Sequence, residues 1–217
     1  MSDHRVLFLV RHGRADYTSK VFRETSRGPT FDPPLYETGR EQARLLARRL
    51  VQMDPQPVAV YCSPLRRTLE TVAPYAEAVG AEVRVVEDLT EVYIGEWERR
   101  TWEEILASDE EIVERLRNQQ AIWHLSPGGE RLPEFRARVT GAVDAALAEH
   151  PVGDVLVVVH GGVINAYVGP ILGVDHEMFF LPENTSLNSV IVEGDRRRVR
   201  FLNDTLHLTD PHLFGSD

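Results

Sequence analysis

Cysteine occurs once in the 217 residues, at Cys62. No intramolecular disulfide can form, and nothing marks an oxidising compartment. Long apolar runs are also missing. The run at residues 6–10 ends at Arg11 and His12, too short for a signal-peptide core or a membrane span. The expected location is therefore the cytoplasm. Excess positive charge is missing too: 24 Lys and Arg face 34 Asp and Glu, a formal net charge of -10. Nucleic acid and anionic membranes both need a basic surface, so neither is expected as a main partner. The chain has no HExxH, no Gly-x-Ser-x-Gly, no P-loop and no paired Asp-x-Asp. Cysteine-phosphatase chemistry would need an arginine at position 68 after Cys62, and that position holds Thr68. Cys62 reads instead as a small buried residue.

What is present suits one globular domain spanning 1–217, with 42% hydrophobic and 27% charged residues. Strand-like apolar runs alternate with helical patterns. Val6-Leu7-Phe8-Leu9-Val10 has the continuous apolar character of a strand covered on both faces. Residues 14–37 read as a loop. Thr38 with Glu41 reads as a capping box opening a helix with Ala43, Leu46 and Leu50 on one face. Residues 58–62 form a second strand, and Ser63-Pro64 reads as an N-cap followed by proline. Residues 83–86 suggest a third strand, 101–123 an acidic helical stretch and 134–149 a helix. Val155-Leu156-Val157-Val158-Val159 is the most apolar strand and ends at His160. A helix opens at Gly161, and strands near 188–193 and 197–202 close the sheet. The expected fold is an α/β three-layer sandwich, with a mostly parallel central sheet and helices on both faces.

In such sheets ligands sit at the carboxyl ends of strands. Here three strands end in polar groups: Arg11-His12-Gly13, Ser63-Pro64-Leu65-Arg66-Arg67 and His160-Gly161-Gly162. If the strands are neighbours, Arg11, His12, Arg67 and His160 converge into a cationic cup. A phosphoryl group suits it, because spread negative charge needs several fixed donors. Arginine forks bind two oxygens at once, and the helix opening at Gly161 adds its N–H groups.

These residues resemble the histidine phosphatase superfamily, whose other well-known branch is the cofactor-dependent phosphoglycerate mutases. Arg11-His12-Gly13 is similar to its signature. Leu35, Thr38, Gly39 and Gln42 follow its Leu-x-x-Thr-Gly-x-x-Gln segment. Ser63, Leu65, Arg67 and Thr71 match a helix start. Leu89, Glu91, Gly95, Trp97 and Glu98 match Leu-x-Glu…Gly-x-Trp-Glu. Gly128-Gly129-Glu130 with Phe135 and Arg138, Val158 to Gly162, and the ending at 203–208 complete the series.

The resemblance implies a metal-independent phosphomonoesterase acting on a small phosphorylated metabolite, with no cofactor. It implies that His12 is the nucleophile and becomes a phosphohistidine. Arg11, Arg67 and His160 would hold the phosphoryl oxygens; Gly161, from its place at the helix start, and Arg14, from the charged loop beside His12, are further candidate substrate contacts. Glu91 would protonate the leaving group and then activate water. Three positions depart from the pattern: 14–18 contain no Asn to touch the phosphate, leaving Thr18, Ser19 or a backbone group to replace it, and Arg99 and Arg131 stand where Gly and Ser are usual. Arg14, Lys20, Arg23 and Arg27 lie in the long connection 14–31, which with 98–130 is a candidate lid. They are candidates to read negative charge beyond the phosphate, with a solvated loop as the alternative. Two other functions compete: a phosphoglycerate mutase, and a non-catalytic phosphate-binding scaffold.

Overall fold

A computed structural model describes residues 4–118 and 120–215. The first apolar run becomes β1 (Arg5–Arg11), and its residues divide between two cores. Leu7 and Leu9 pack on one side with Phe135, Val139 and Val143 of α5 (Leu132–Glu149) and Val163, Ile164 and Tyr167 of α6 (Gly161–Leu172). Val6, Phe8 and Val10 pack on the other with Leu46 and Leu50 of α1 (Glu37–Val51) and Val72 and Tyr75 of α2 (Arg66–Val79). A strand covered on both faces has no solvent side, so no polar residue interrupts it.

The sheet adds β4 (Ala59–Cys62), β5 (Val83–Val85), β6 (Val155–Val159), β7 (Leu187–Glu193) and β8 (Arg196–Asp204). Its order is β5-β4-β6-β1-β7-β8. The pairings from β5 to β1 are parallel, while β7 and β8 are antiparallel. This is the expected three-layer α/β sandwich. The carboxyl ends of β4, β6 and β1 therefore lie side by side at one edge.

The structure differs from the local reading where distant residues decide. Residues 14–37 are not all loop: β2 (Phe22–Thr25) and β3 (Gly28–Phe31) form an antiparallel hairpin. Its strands are short and carry only one buried residue, Thr30, so no alternation announced them. Helix α1 starts at Glu37, after an N-cap Tyr36 with no side-chain cap, so Thr38 and Glu41 are not a capping box. Helix α2 starts at Arg66, not after Ser63. The carboxylate that accepts from its first N–H belongs to Asp32, whose Oδ1 lies 2.6 Å from the Arg66 nitrogen. The acidic stretch 101–123 is broken into α3 (Trp102–Leu106) and α4 (Glu110–Arg117), each burying one isoleucine, Ile105 and Ile112.

The loop after β1 is held by a close backbone approach. A Cβ at Gly39 would lie 2.1 Å from the Arg14 carbonyl oxygen, and one at Gly13 would lie 2.7 Å from the Gly39 carbonyl oxygen. Neither neighbour is a side-chain tip that can swing away. Gly39→Ala is expected to destabilise the fold by about 1–3 kcal/mol, the usual range for overpacking, seen as a fall of several degrees in Tm. An unchanged Tm would mean that this approach is not tight.

Candidate active site

The adjacent carboxyl ends bring the predicted residues together. Arg11 ends β1 and His12 follows it; Arg67 lies in the first turn of α2; His160 follows β6 and is the N-cap of α6. The imidazoles of His12 and His160 meet edge to face, with centroids 5.2 Å apart. Gly161 is buried beside them, and a Cβ on it would lie 3.8 Å from Arg11 Nε.

His12 has a defined tautomer. Its Nδ1 lies 2.7 Å from the Gly13 carbonyl oxygen. A carbonyl only accepts, so Nδ1 carries the proton and Nε2 keeps a lone pair. Burial holds the His12 pKa well below the ordinary imidazole value, and the charges of Arg67 and Arg11 lower it further. His160 is depressed in the same way, by burial first and then by Arg67, His12 and Arg11. Its Nε2 lies 2.8 Å from Ser63 Oγ. The Ser63 hydroxyl, which accepts from the Leu65 N–H, can donate to that nitrogen and leave the proton on Nδ1.

Several donors in the cup have no protein partner. Among the described residues the buried polar side-chain atoms without a hydrogen bond include Arg11 Nε, Arg67 Nε and His160 Nδ1. Such groups are rare in folded proteins and ask for a ligand or water. The remaining guanidinium bonds go to neutral carbonyls: Arg67 donates to Phe31 O at 3.0 Å and Arg11 to Pro182 O.

Glu91 stands on the other side of the helix start. Its Oε2 accepts from the Gly162 N–H at 3.0 Å and its Oε1 from the Val92 N–H at 2.9 Å. A Cβ on Gly162 would fall 2.3 Å from Glu91 Oε1, and 3.2 Å from the Trp123 ring. Glycine at 162 therefore makes room for the carboxylate, and segment 98–130 reaches the site through Trp123. The loop that carries Glu91 is fixed by Arg138. Its guanidinium donates to both oxygens of Glu130 at 2.6 Å, to Asp88 O and Thr90 O at 2.8 Å, and to Glu91 O at 3.0 Å. Glu130 also accepts from the Tyr93 N–H.

Arg14 is exposed, with its guanidinium 5.6 Å above the Tyr36 ring. Arg27 is committed elsewhere, to Asp88 at 2.5 Å and Glu130 at 3.3 Å, so it is no spare substrate ligand. Lys20 and Arg23 are exposed. Thr18 donates its backbone and hydroxyl to Asp16, which removes it as the replacement for an asparagine. Arg99 lies over the Phe22 ring at 5.1 Å. With Tyr93, Glu96 and Glu98 it lines a cleft of about 400 Å³.

Sequence reasoning missed several supports. Thr71 Oγ1 accepts from the Gly13 N–H at 2.9 Å. Asn184 donates its amide to the His12 carbonyl at 3.0 Å. Thr185, a buried β-branched residue at φ 58, donates its N–H to Arg11 O. That conformation costs about 1–3 kcal/mol and is held by hydroxyl contacts to Asn184 O and His207 Nε2. Thr71 was visible within a motif, but nothing local links 184–185 to β1.

The buried histidines make stability depend on pH. His12 and His160 are depressed below the ordinary 6.5, and His207 to about 4, by burial and then by Arg49. The folded state refuses protons that the unfolded chain accepts. Their contribution is fully present above pH 6.5 and is lost as pH falls toward the folded values. The loss is up to about 1.4 kcal/mol per pH unit for each histidine. Thermal unfolding between about pH 7 and pH 5 should show Tm falling, less steeply for His207→Asn. Equal slopes would contradict the depressed imidazole.

The chain is similar to known proteins over nearly its whole length. Phosphoserine phosphatase 1 of Hydrogenobacter thermophilus is 32% identical over 204 residues, covering 93% of this chain and 93% of that one. A probable phosphoglycerate mutase of Photorhabdus laumondii is 30% identical over 168 residues, covering 77% and 74%. A mycobacterial glucosyl-3-phosphoglycerate phosphatase, solved with VO3, superposes with a TM-score of 0.74 at 29% identity, covering 92% of this chain and 98% of that one. The family model of the histidine phosphatase superfamily, branch 1, matches residues 7–205. The chain belongs to that superfamily.

Proposed function

We propose that this histidine phosphatase is a metal-independent phosphomonoesterase, hydrolysing a small phosphorylated metabolite through a phosphohistidine on His12. The observation that carries the reading is the set of buried, unpartnered donors on Arg11, Arg67 and His160 around a neutral His12. The Nε2 lone pair of His12 attacks phosphorus, and the bond to the leaving oxygen breaks. Arg11, Arg67 and His160 hold the phosphoryl oxygens as their charge redistributes. Gly161, first residue of α6, adds its N–H. Glu91, in its acid form, gives the leaving oxygen a proton. As carboxylate it then takes a proton from water, whose oxygen attacks the phosphohistidine. The P–N bond breaks, its electron pair returns to Nε2, and inorganic phosphate leaves.

Relatives named for phosphatase activity include a phosphoserine phosphatase and a glucosyl-3-phosphoglycerate phosphatase, and L-phosphoserine and other carboxylated monoesters are the first substrates to test. A mutase reading shares the cup and differs in the fate of the phosphohistidine. Free phosphate carrying oxygen from labelled water is the expected main product. Rapid exchange of 2- and 3-phosphoglycerate with little phosphate released would favour the mutase. A scaffold that only binds would need neither a nucleophile nor Glu91. The segments 14–31 and 98–130 are proposed as lids.

His12→Ala should fold normally and lose turnover by at least about a thousandfold, with no acid-labile, base-stable phosphoenzyme trapped. An active variant would remove His12 as nucleophile. EDTA should leave the parent activity unchanged; loss restored by added metal would contradict the proposal.

Glu91→Gln should slow alkyl phosphates by about a hundredfold or more. Aryl phosphates, whose leaving groups need no proton, should be affected far less in phosphoenzyme formation. Equal losses in single-turnover formation would remove Glu91 from proton donation.

A further inference from the structure

Glu98 lies outside the cup, yet its hydrogen bonds lead to it. Its Oε2 accepts from the Phe31 N–H at 2.7 Å, and its Oε1 from the Ile94 N–H at 3.3 Å. Phe31 in turn offers its carbonyl oxygen to Arg67 at 3.0 Å. Both polar groups of one residue of β3 are thus taken, one by a carboxylate and one by the phosphate-binding guanidinium. The next residue, Asp32, takes the N–H of Arg66 at the start of the same helix. Arg67 Nε has no protein partner, so its carbonyl bond to Phe31 is what sets the direction of the fork.

We propose that Glu98 is a positioning residue that aims Arg67 at the phosphoryl group through the backbone of Phe31. This rests on the phosphatase reading above. Among the described residues, hairpin β2–β3 joins the main sheet by no strand pairing. Its place beside Arg67 must come from side-chain ties. Glu98 ties Phe31 at one end, while Arg27 ties the turn to Asp88 and Glu130 at the other. The peptide that carries the Phe31 carbonyl is held by the Asp32 N–H, which donates to Val21 O at 2.9 Å. Glu98 holds the peptide before it, so removing Glu98 frees one side of Phe31 and lets the residue shift. The guanidinium then loses the acceptor that orients it. A carboxylate placed directly on Arg67 would orient it too, but would fill the donors that phosphate needs. Separation by one residue orients the fork without a carboxylate bonded to it. Burial raises the Glu98 pKa, against the two N–H bonds and Arg67, which lower it.

The test is a double-mutant cycle read by two measurements. Glu98→Ala should lower kcat/KM by about tenfold to a hundredfold, the scale of a misplaced binding group. Vanadate affinity, measured by calorimetry as a probe of the cup, should weaken by a similar factor. In an Arg67→Ala background the same substitution should change neither value by more than about twofold. Glu98→Gln keeps an oxygen for the Phe31 N–H and should restore both to within a few-fold of the parent. Equal losses from Glu98→Ala in both backgrounds, or a Gln variant as poor as Ala, overturn the relay. If Glu98→Ala does not fold, the Gln variant and a Glu98→Asp variant, whose carboxylate falls short of Phe31, decide by the same cycle. A parent that binds vanadate but turns nothing over strikes the hydrolase reading alone, because vanadate affinity still reports on Arg67.

Discussion

The site depends on keeping two guanidiniums and two neutral imidazoles together, out of water and short of partners. Buried cationic groups repel one another, and lone desolvated charges are costly. The fold tolerates this because each arginine gives an N–H to a carbonyl, Phe31 O for Arg67 and Pro182 O for Arg11. A carbonyl dipole orients a guanidinium without cancelling its charge. The positive field does two things at once. It awaits an anion, and with burial it keeps His12 unprotonated. On the proposed mechanism, the group that attacks phosphorus is made nucleophilic by the same surroundings that would hold the phosphoryl oxygens.

The carboxylates are arranged by the opposite rule. Glu130 is fully engaged by Arg138, Arg27 and the Tyr93 N–H. Glu177 is buried and takes the N–H groups of Ile122 and Trp123, fixing the segment whose tryptophan stands over Gly162. These satisfied networks are rigid, as polar networks with every partner present tend to be. They surround a cup that is left incomplete. Glu91 lies between the two regimes, held by backbone N–H groups and by the loop that Arg138 fixes, with Gly162 leaving it room.

Much of this was legible in the sequence, for a physical reason. β1 and β6 are covered on both faces, so their apolar runs were unbroken, and the polar residues that end them stood out. Parallel strands then place His12, Arg67 and His160 at one edge. What could not be read depended on contacts distant along the chain. Asp32 caps α2, so Ser63 is free to pair with His160. Hairpin β2–β3 is too short and too exposed to show a period of two. Arg27 carries a charge that suited substrate recognition, but Asp88 and Glu130 claim it. Thr185 and Asn184 brace β1 from a loop more than a hundred residues away.

The net charge of -10 now has a place in the chemistry. Charge spread over a surface is screened beyond about 10 Å at ordinary salt. The cup acts inside that distance, where low polarity strengthens each contact. A small monoester reaches the donors carrying little charge past the acidic exterior. A long polyanion would meet that exterior along its whole length before one phosphate entered the cup. The cleft that holds Arg99 is of mixed sign, with Glu96 and Glu98 beside it, and none of the cup residues lines it. On the proposed mechanism, phosphate recognition belongs to the buried residues at the sheet edge, inside the distance over which surface charge is screened.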